Sequence, residues 1–356
     1  MVNWPGTSSF RKISVNTAKD IFQRAEQAAR KGNFEYSIEL YLQGLTINPK
    51  ASEERQTLHR IEAQMVESNG GNPAGSVATK IKTKVSHAKV KQLKLQKKWD
   101  EAVMALADDD AVILAGGQSL VPMLNFRLFT PTRLVDITRI ADLDYIKDWN
   151  GGLRIGALAR HHTLETSPLV KERFPVLHAA MRLVAHLAIR NRGTIGGSLC
   201  HADPAAELPG LALLLEAELQ TTKRTIAAAD FYEGALTSVL EQGEILTEIR
   251  LPALPAGTGW AFEEFARRSG DFALAAVGVL VGSDTRITAI GANKTPIRLK
   301  RAEALCTDLS KMDAIVRSAR EEVSPNSDLH GSADYRRHLI GVLTKRALTA
   351  ASERAA

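Results

Sequence analysis

The sequence predicts an α+β body of enzyme type behind a shorter helical extension, on three observations. After residue 98, short apolar runs alternate with stretches of helical periodicity and end in a mixed strand-and-helix section. The 356 residues, 44% hydrophobic and 24% charged, have ordinary globular composition and are long enough for two or three structural units. The charge is split. Residues 1–98 hold 17 Lys and Arg against 8 Asp and Glu, so the overall +6 belongs to the first quarter and the remainder is slightly acidic. A nucleic-acid-binding body is therefore not expected.

No apolar run approaches the roughly 18 residues of a membrane span; LALLLEAEL is interrupted by Glu216 and Glu218. MVNWPGTSSFRKISV has no apolar core of the kind a secretory signal needs, which makes the cytoplasm the expected compartment. Two cysteines, Cys200 and Cys306, supply neither a disulfide framework nor four thiolates for a metal or iron–sulfur site. A redox centre housed in this chain has to be organic.

Residues 1–68 read as the extension. Ala18, Ile21, Phe22, Ala25, Ala28 and Ala29 recur at helical spacing up to a stop at Gly32-Asn33, and Phe34, Ile38, Tyr41, Leu42 and Leu45 repeat the pattern up to Pro49. The pair resembles one tetratricopeptide repeat through Ala25, Gly32, Phe34, Tyr41 and Pro49, with Ser37 and Gly44 where that family prefers alanine. A third helical stretch, SEERQTLHRIEAQMV, is placed to cover the pair, since one repeat cannot bury its apolar face alone. Residues 69–98 read as a basic linker: after the Gly/Asn/Ser-rich 67–78, KIKTKVSHAKVKQLKLQKK carries eight lysines without interleaved aromatics or an apolar face, as a solvated segment does.

In the body, WDEAVMALADD reads as a helix, AVILAGG as a buried strand entering a glycine turn, and RLVDITRI and LRIGALA as strands. LETSPLVKERFPVLHAAMRLVAH reads as broken helix, and PAAELPGLALLLEAEL as a helix feeding a strand. GWAFEEFARR and ALAAVGVLVG read as strands, and YRRHLIGVLTKRALTAAS as a closing helix. The boundaries are 99–256 for the first part and 257–356 for the second.

Two glycine turns lie about 80 residues apart: Leu114-Ala115-Gly116-Gly117-Gln118-Ser119-Leu120 and Thr194-Ile195-Gly196-Gly197-Ser198. Paired glycines let backbone N–H groups close on an anion such as a diphosphate, and the adjoining hydroxyls add donors. Neither turn fits the dinucleotide fingerprint G-x-G-x-x-G or the P-loop G-x-x-x-x-G-K-[ST]. His161, His162 and His201 lack the spacing of a metal site, so hydrogen-bonded loop histidines are expected. Cys200 beside His201 on an extended segment would point away from it, so a structural cysteine is expected.

AVILAGGQSLVPMLNFRLFTPTRLVDITRI, LRIGALARHHTLETSPLV and IRNRGTIGGSLCHADPAAELP closely resemble the FAD-binding subunit or domain of molybdenum hydroxylases, the family of carbon monoxide dehydrogenase and xanthine dehydrogenase. FARRSGDFAL, TPIRLKRAE and DLHGSADYRRHL resemble the C-terminal subdomain of the medium chain in its carbon monoxide dehydrogenase branch. The resemblance runs in order over about 99–353 and leaves out residues 1–98. It implies a vanillyl-alcohol-oxidase-like, PCMH-type FAD-binding fold in two α/β subdomains, with an α+β C-terminal subdomain. By the same resemblance, both glycine turns wrap the FAD diphosphate, Asp203 and Glu207 stand near the ribityl and nucleotide portion, and Leu246 packs near the flavin.

Arg190 and Arg192 flank the second turn, where stabilising a reduced flavin, docking a partner and pairing with local acids are all open roles. The family's usual aromatic first strand is missing; either SHAKVKQLKL replaces it or the domain lacks that edge. The implied function is an electron-transfer flavoprotein. Electrons from a molybdenum-cofactor large subunit would pass through [2Fe–2S] clusters of a small subunit to FAD, and on to NAD+, a quinone or oxygen, in a hetero-oligomer. The alternatives are a scaffold with a degenerate flavin domain and a stand-alone flavin oxidoreductase.

Overall fold

The computed structural model describes residues 7–34, 36–38, 40–41, 57–58, 60–61, 91–94 and 111–355. The chain divides into two compact units, Met1–Val90 and Lys91–Ala356. In the first, α1 (Thr7–Arg30) begins earlier than the apolar periodicity suggests, because no Pro or Gly follows Gly6 until Gly32. The chain turns at Gly32, φ +75°, and a second helical stretch packs back on α1. The rings of Phe22 and Tyr41 lie 5.9 Å apart. Leu58 and Ile61, from the third stretch, join Ala25 and Ile38 in the same apolar cluster. Ser37 is fully buried and donates to the Ala25 carbonyl at 2.7 Å, which is how a hydroxyl is accommodated where alanine is the pattern. Gly44, Pro49, the 67–78 segment and the helix expected at 99–109 lie outside the described residues.

The second unit opens with β1 (Lys91–Lys94), inside the segment read as linker. With β2 (Ala111–Leu114), α2 (Leu120–Asn125) and β3 (Arg133–Asp136) it builds a parallel sheet of order β1–β3–β2, Lys91 and Ala111 both facing Arg133. Lysine suits this place. β1 is an edge, and edge strands carry lysine because it discourages further pairing.

A second subdomain follows: β4 (Ile146–Trp149), β5 (Gly152–Gly156), the short helices α3 (His161–Thr166), α4 (Pro168–Arg173), α5 (Pro175–Met181), α6 (Leu187–Arg190) and α7 (Ile195–His201), then α8 (Glu207–Leu214), β6 (Glu218–Thr221), β7 (Thr225–Ala227), the hairpin β8 (Tyr232–Gly234) and β9 (Thr237–Ser238), and β10 (Leu246–Leu251). Its antiparallel sheet has the order β4–β5–β10–β6–β7. The helices break where the sequence says they must: Pro168 and Pro175 each open one, the former capped by Ser167, whose Oγ accepts from the Val170 N–H. Leu153, Ile155, Phe174, Leu177 and Phe231 are fully buried between these helices and the sheet, each contributing about 1.5–3 kcal/mol of apolar transfer.

The last section is an antiparallel sheet, β11 (Gly259–Phe265), β12 (Ala275–Val281), β13 (Arg286–Ile290) and β14 (Ile297–Arg298), followed by α9 (Lys300–Leu305), α10 (Met312–Glu322) and α11 (Ala333–Arg354). β12 is apolar without alternation because both its faces are covered. Ala275, Val277 and Val279 pack in one cluster with Leu343 and Ala347 of α11, whereas Gly278 faces Leu214 of α8. All eight residues of α8 are buried for the same reason, and this helix ties the second subdomain to the C-terminal sheet.

Candidate functional site

The first glycine turn leaves β2, the second opens α7, and the two approach each other. Gly116, just past β2, backs onto the chain before α7: a Cβ there would stand 2.8 Å from Gly193 Cα. Gly196 backs onto the residue after β5, where a Cβ would stand 2.7 Å from the Ala157 carbonyl oxygen. Gly117 takes φ +74°, which a side chain would strain. These close approaches join the parallel sheet to the antiparallel one, and a cavity of about 710 Å³ opens where they meet. Ligand pockets run to roughly 300–1,000 Å³, so the space is that of a large ligand.

Of the residues singled out above, Ala115, Gly116, Gly117, Gln118, Ser119, Leu120, Thr194, Gly196, Gly197, Ser198, Asp203, Glu207 and Leu246 line this cavity. Leu114 and Ile195 do not: Leu114 ends β2, and Ile195 is turned into the core. The two turns differ in what they offer. In the first, the N–H groups of Gly117, Gln118 and Ser119 have no backbone partner among the described residues, and Gln118 Nε2 donates to the Gly116 carbonyl at 3.0 Å. In the second, the N–H groups are engaged: Ile195 with Ala159 O, Gly196 with Ala157 O, and Gly197 with Thr194 Oγ1 at 3.1 Å. Thr194 is the N-cap of α7, so this turn serves by close approach rather than by free donors.

An anion in this cavity would depend on backbone N–H donors rather than on cationic side chains. No Lys or Arg lines the cavity among the described residues, while five carboxyls do. Glu244 is tied to Arg224 at 3.1 Å and accepts from Thr221 at 2.6 Å; Glu241 meets Lys223 at 2.9 Å. Glu207, at the start of α8, is pushed up to about 7 by burial and by the Asp203 charge, and so is only partly ionised at neutral pH. Asp203 Oδ1 accepts from the Ala205 N–H at 2.9 Å. Asp271 lies on the loop between β11 and β12, beside Gly270 and Phe272, which also line the cavity.

His161, expected as a hydrogen-bonded loop histidine, instead opens α3. It lines the cavity, is buried, and neither ring nitrogen has a partner. Burial holds its pKa down to about 4, with Arg160 and Arg190 adding to the effect, so the ring is neutral and offers one donor and one acceptor. No local pattern marks it; the missing Cβ at Gly193, which would stand 2.9 Å from the ring, gives the ring its place only in the fold. Arg190 proves committed to structure: it donates to both Glu165 oxygens, at 2.8 and 3.3 Å, and to the Val184 and Ala185 carbonyls at 2.9 Å. Burial alone would raise Glu165; the hydrogen bonds from Arg190 and His162 outweigh it and hold that carboxyl below its ordinary value. Arg192 is exposed, and its carbonyl accepts from the Arg160 guanidinium. Cys200 lines the cavity with its thiol pushed up to about 12 by burial, which rules out a thiolate nucleophile. Among the described residues, no three His, Cys, Asp or Glu side chains group to hold a metal.

Residues 91–254 match the family model described as the FAD binding domain in molybdopterin dehydrogenase, and residues 260–351 the CO dehydrogenase flavoprotein C-terminal domain. Subunit alpha of the 6-hydroxypseudooxynicotine dehydrogenase complex of Paenarthrobacter nicotinovorans is 42% identical over 273 residues, 72% of this chain and 92% of that protein. The chain belongs to the FAD-binding medium-subunit family of molybdenum hydroxylases.

Solved structures of this family share the architecture. Carbon monoxide dehydrogenase from Hydrogenophaga pseudoflava, in a form lacking the Mo-pyranopterin moiety, superposes with a TM-score of 0.71 at 36% identity, covering 75% of this chain and 98% of that one. Quinoline 2-oxidoreductase from Pseudomonas putida 86 gives 0.70 at 36% identity, with the same coverage. The fold is the PCMH-type FAD-binding α+β fold with its two subdomains. This medium-subunit chain carries the family's FAD-binding domain and is an oxidoreductase flavoprotein, an electron-transfer component of a molybdenum hydroxylase complex. FAD fits the cavity on its own terms: three N–H groups and an orphaned neutral imidazole offer polar contacts, and the rest of the wall is largely apolar. No helix among the described residues is long and apolar enough to cross a membrane.

Proposed function

We propose that this chain holds FAD between its two glycine turns. There it relays electrons from a molybdenum-cofactor large subunit and a [2Fe–2S] small subunit to NAD+, a quinone or oxygen. The observation that carries the reading is the meeting of both turns on one 710 Å³ cavity in a chain of this family. When bound, FAD supplies the exchange between one- and two-electron steps. The chain's residues do the holding. The N–H groups of Gly117, Gln118 and Ser119, without backbone partners, would hold the diphosphate, with Ser198 and Thr194 also lining the cavity. Neutral His161 would have a ring nitrogen free to donate to an oxygen of the same ligand, while Asp203 and Glu207 would be acceptors for its hydroxyls. Leu246 and Phe272 supply apolar wall and exclude water from the ring system. The substrate of the complex would be chosen in the large subunit, so the substrates named for relatives are not carried over.

The test is titration of the purified full chain with FAD, following flavin fluorescence, alongside Gly117→Trp and Ser198→Trp. Tight binding in the wild type, lost in both folded variants, is expected. Equal binding by all three would move the flavin elsewhere. Co-expression with the large and small subunits should give a complex whose substrate bleaches the flavin absorption. A chain that turns over a substrate alone would point instead to a stand-alone flavin oxidoreductase.

A further inference from the structure

The segment DLHGSADYRRHL lies outside the cavity, yet one of its side chains reaches the backbone behind two cavity walls. Arg336, on the first turns of α11, is buried, and its guanidinium donates in three directions. Nη1 meets the Leu274 carbonyl at 2.7 Å and the Gly291 carbonyl at 3.1 Å, and Nη2 meets Asp328 Oδ2 at 2.7 Å. Leu274 closes the β11–β12 loop, its N–H donating to the Phe265 carbonyl at 2.9 Å, and that loop carries Gly270, Asp271 and Phe272 into the cavity. Gly291, at φ +73°, donates its N–H to the Pro204 carbonyl at 2.9 Å, and so grips the turn that carries Asp203 and Glu207.

Asp328 is itself held in place. Its Oδ1 accepts from the His330 and Gly331 N–H groups at 2.8 and 3.0 Å, leaving Oδ2 for the arginine. The same region clasps the base of the loop twice more. Tyr335 meets Phe265 edge to face at 6.2 Å, and Arg267 lies 3.3 Å from His330 Nδ1. A buried arginine is costly unless its donors are used, and Arg336 Nε has no partner. Its retained contacts are all to backbone that shapes the cavity or to the acid that orients it.

We propose that Arg336 is a positioning residue for the flavin: anchored by Asp328, it fixes the loop bearing Gly270–Phe272 and, through Gly291, the turn bearing Asp203 and Glu207, without touching the ligand. This rests on the reading of the cavity as the flavin site. Only a forked, planar donor spans two carbonyls and a carboxylate at once, so lysine is not an equivalent here.

The experiment compares the full chain with Arg336→Met, Arg336→Lys, Asp328→Asn and a control, Arg354→Met, whose side chain lies on the same helix and binds the Trp260 carbonyl. FAD dissociation constants, visible circular dichroism of the bound flavin and amide hydrogen exchange are measured for each, with thermal midpoints alongside. Arg336→Met is expected to raise the dissociation constant roughly tenfold, a loosening of support rather than a lost contact. Arg336→Lys and Asp328→Asn should give smaller rises in the same direction, with altered dichroism. Exchange should quicken at the Leu274, Gly291 and Ala205 amides, and the control should leave all three readouts unchanged. If Arg336→Met does not fold, the lysine and asparagine variants decide. Variants that lose stability yet keep wild-type FAD affinity, dichroism and exchange at those amides would overturn the proposal. If wild-type chain binds no FAD, the flavin-site reading fails, and unchanged exchange at those amides would overturn the positioning role independently.

Discussion

Glu207 and Glu264 illustrate how burial sets chemistry at a single side chain. Burial pushes Glu207 up to about 7, with Asp203 adding, and Glu264 up to about 8, with Glu207 adding; the Glu264 Oε2 has no hydrogen-bond partner. Both folded values lie above the ordinary 4.5, so the folded chain binds more protons than the unfolded one, and stability falls as pH rises from there to about 7 and 8. His161 acts in the opposite sense. Its folded value of about 4 lies below the ordinary 6.5, so its stabilising effect grows between those values and is complete above them. From pH 6.5 to 8 the two carboxyls outweigh the remaining titration of His161 in the unfolded chain. The thermal midpoint of the ligand-free chain should therefore fall over that window, and Glu264→Gln should flatten the fall; a variant with the wild-type slope would mean that Glu264 ionises freely.

At the scale of an element, α7 shows why a motif can be found and its structure misread. TIGGSL was legible as a glycine turn beside a ligand, but two glycines in a first helical turn disguise a helix, because glycine is among the weakest helix formers. Thr194 was the available sign: its hydroxyl accepts from the Gly197 N–H and fixes the start of α7. Thr194→Val should cost about 0.5–2 kcal/mol in urea unfolding, as lost N-caps do, and weaken FAD binding, whereas Thr194→Ser should retain both. The lysine run carried two readings, a solvated linker by its charge and, through SHAKVKQLKL, a replacement for the family's first strand. Lys91–Lys94 pairs along β3 as an edge strand, in keeping with the second; local composition alone could not choose, because pairing partners are not visible in it.

For the whole molecule, the match to relatives divides the chain. The 6-hydroxypseudooxynicotine dehydrogenase relative is 92% covered by 72% of this chain, and the flavin cavity lies wholly in the Lys91–Ala356 unit. The Met1–Val90 unit has its own apolar cluster around Phe22, Ile38 and Leu58. A chain of residues 91–356 should therefore fold and bind FAD with the affinity of the full-length protein, as fluorescence titration would register. A loss of binding would assign the extension a part in the flavin site.

The sequence by itself determined the family, the division into helical extension and α+β body, and the two glycine turns, because each is written in local spacing: apolar period, turn residues and contiguous motifs. The tertiary structure decided what those pieces do together. It packed Ile195 into the core, brought His161 into the cavity and gave Arg190 to Glu165. It also ran Arg336 to backbone 45 and 62 residues away. The physical reason is that orientation, burial and hydrogen-bond partnership depend on segments that meet only when the two sheets and α8 pack, and no local pattern encodes which neighbour a side chain will find.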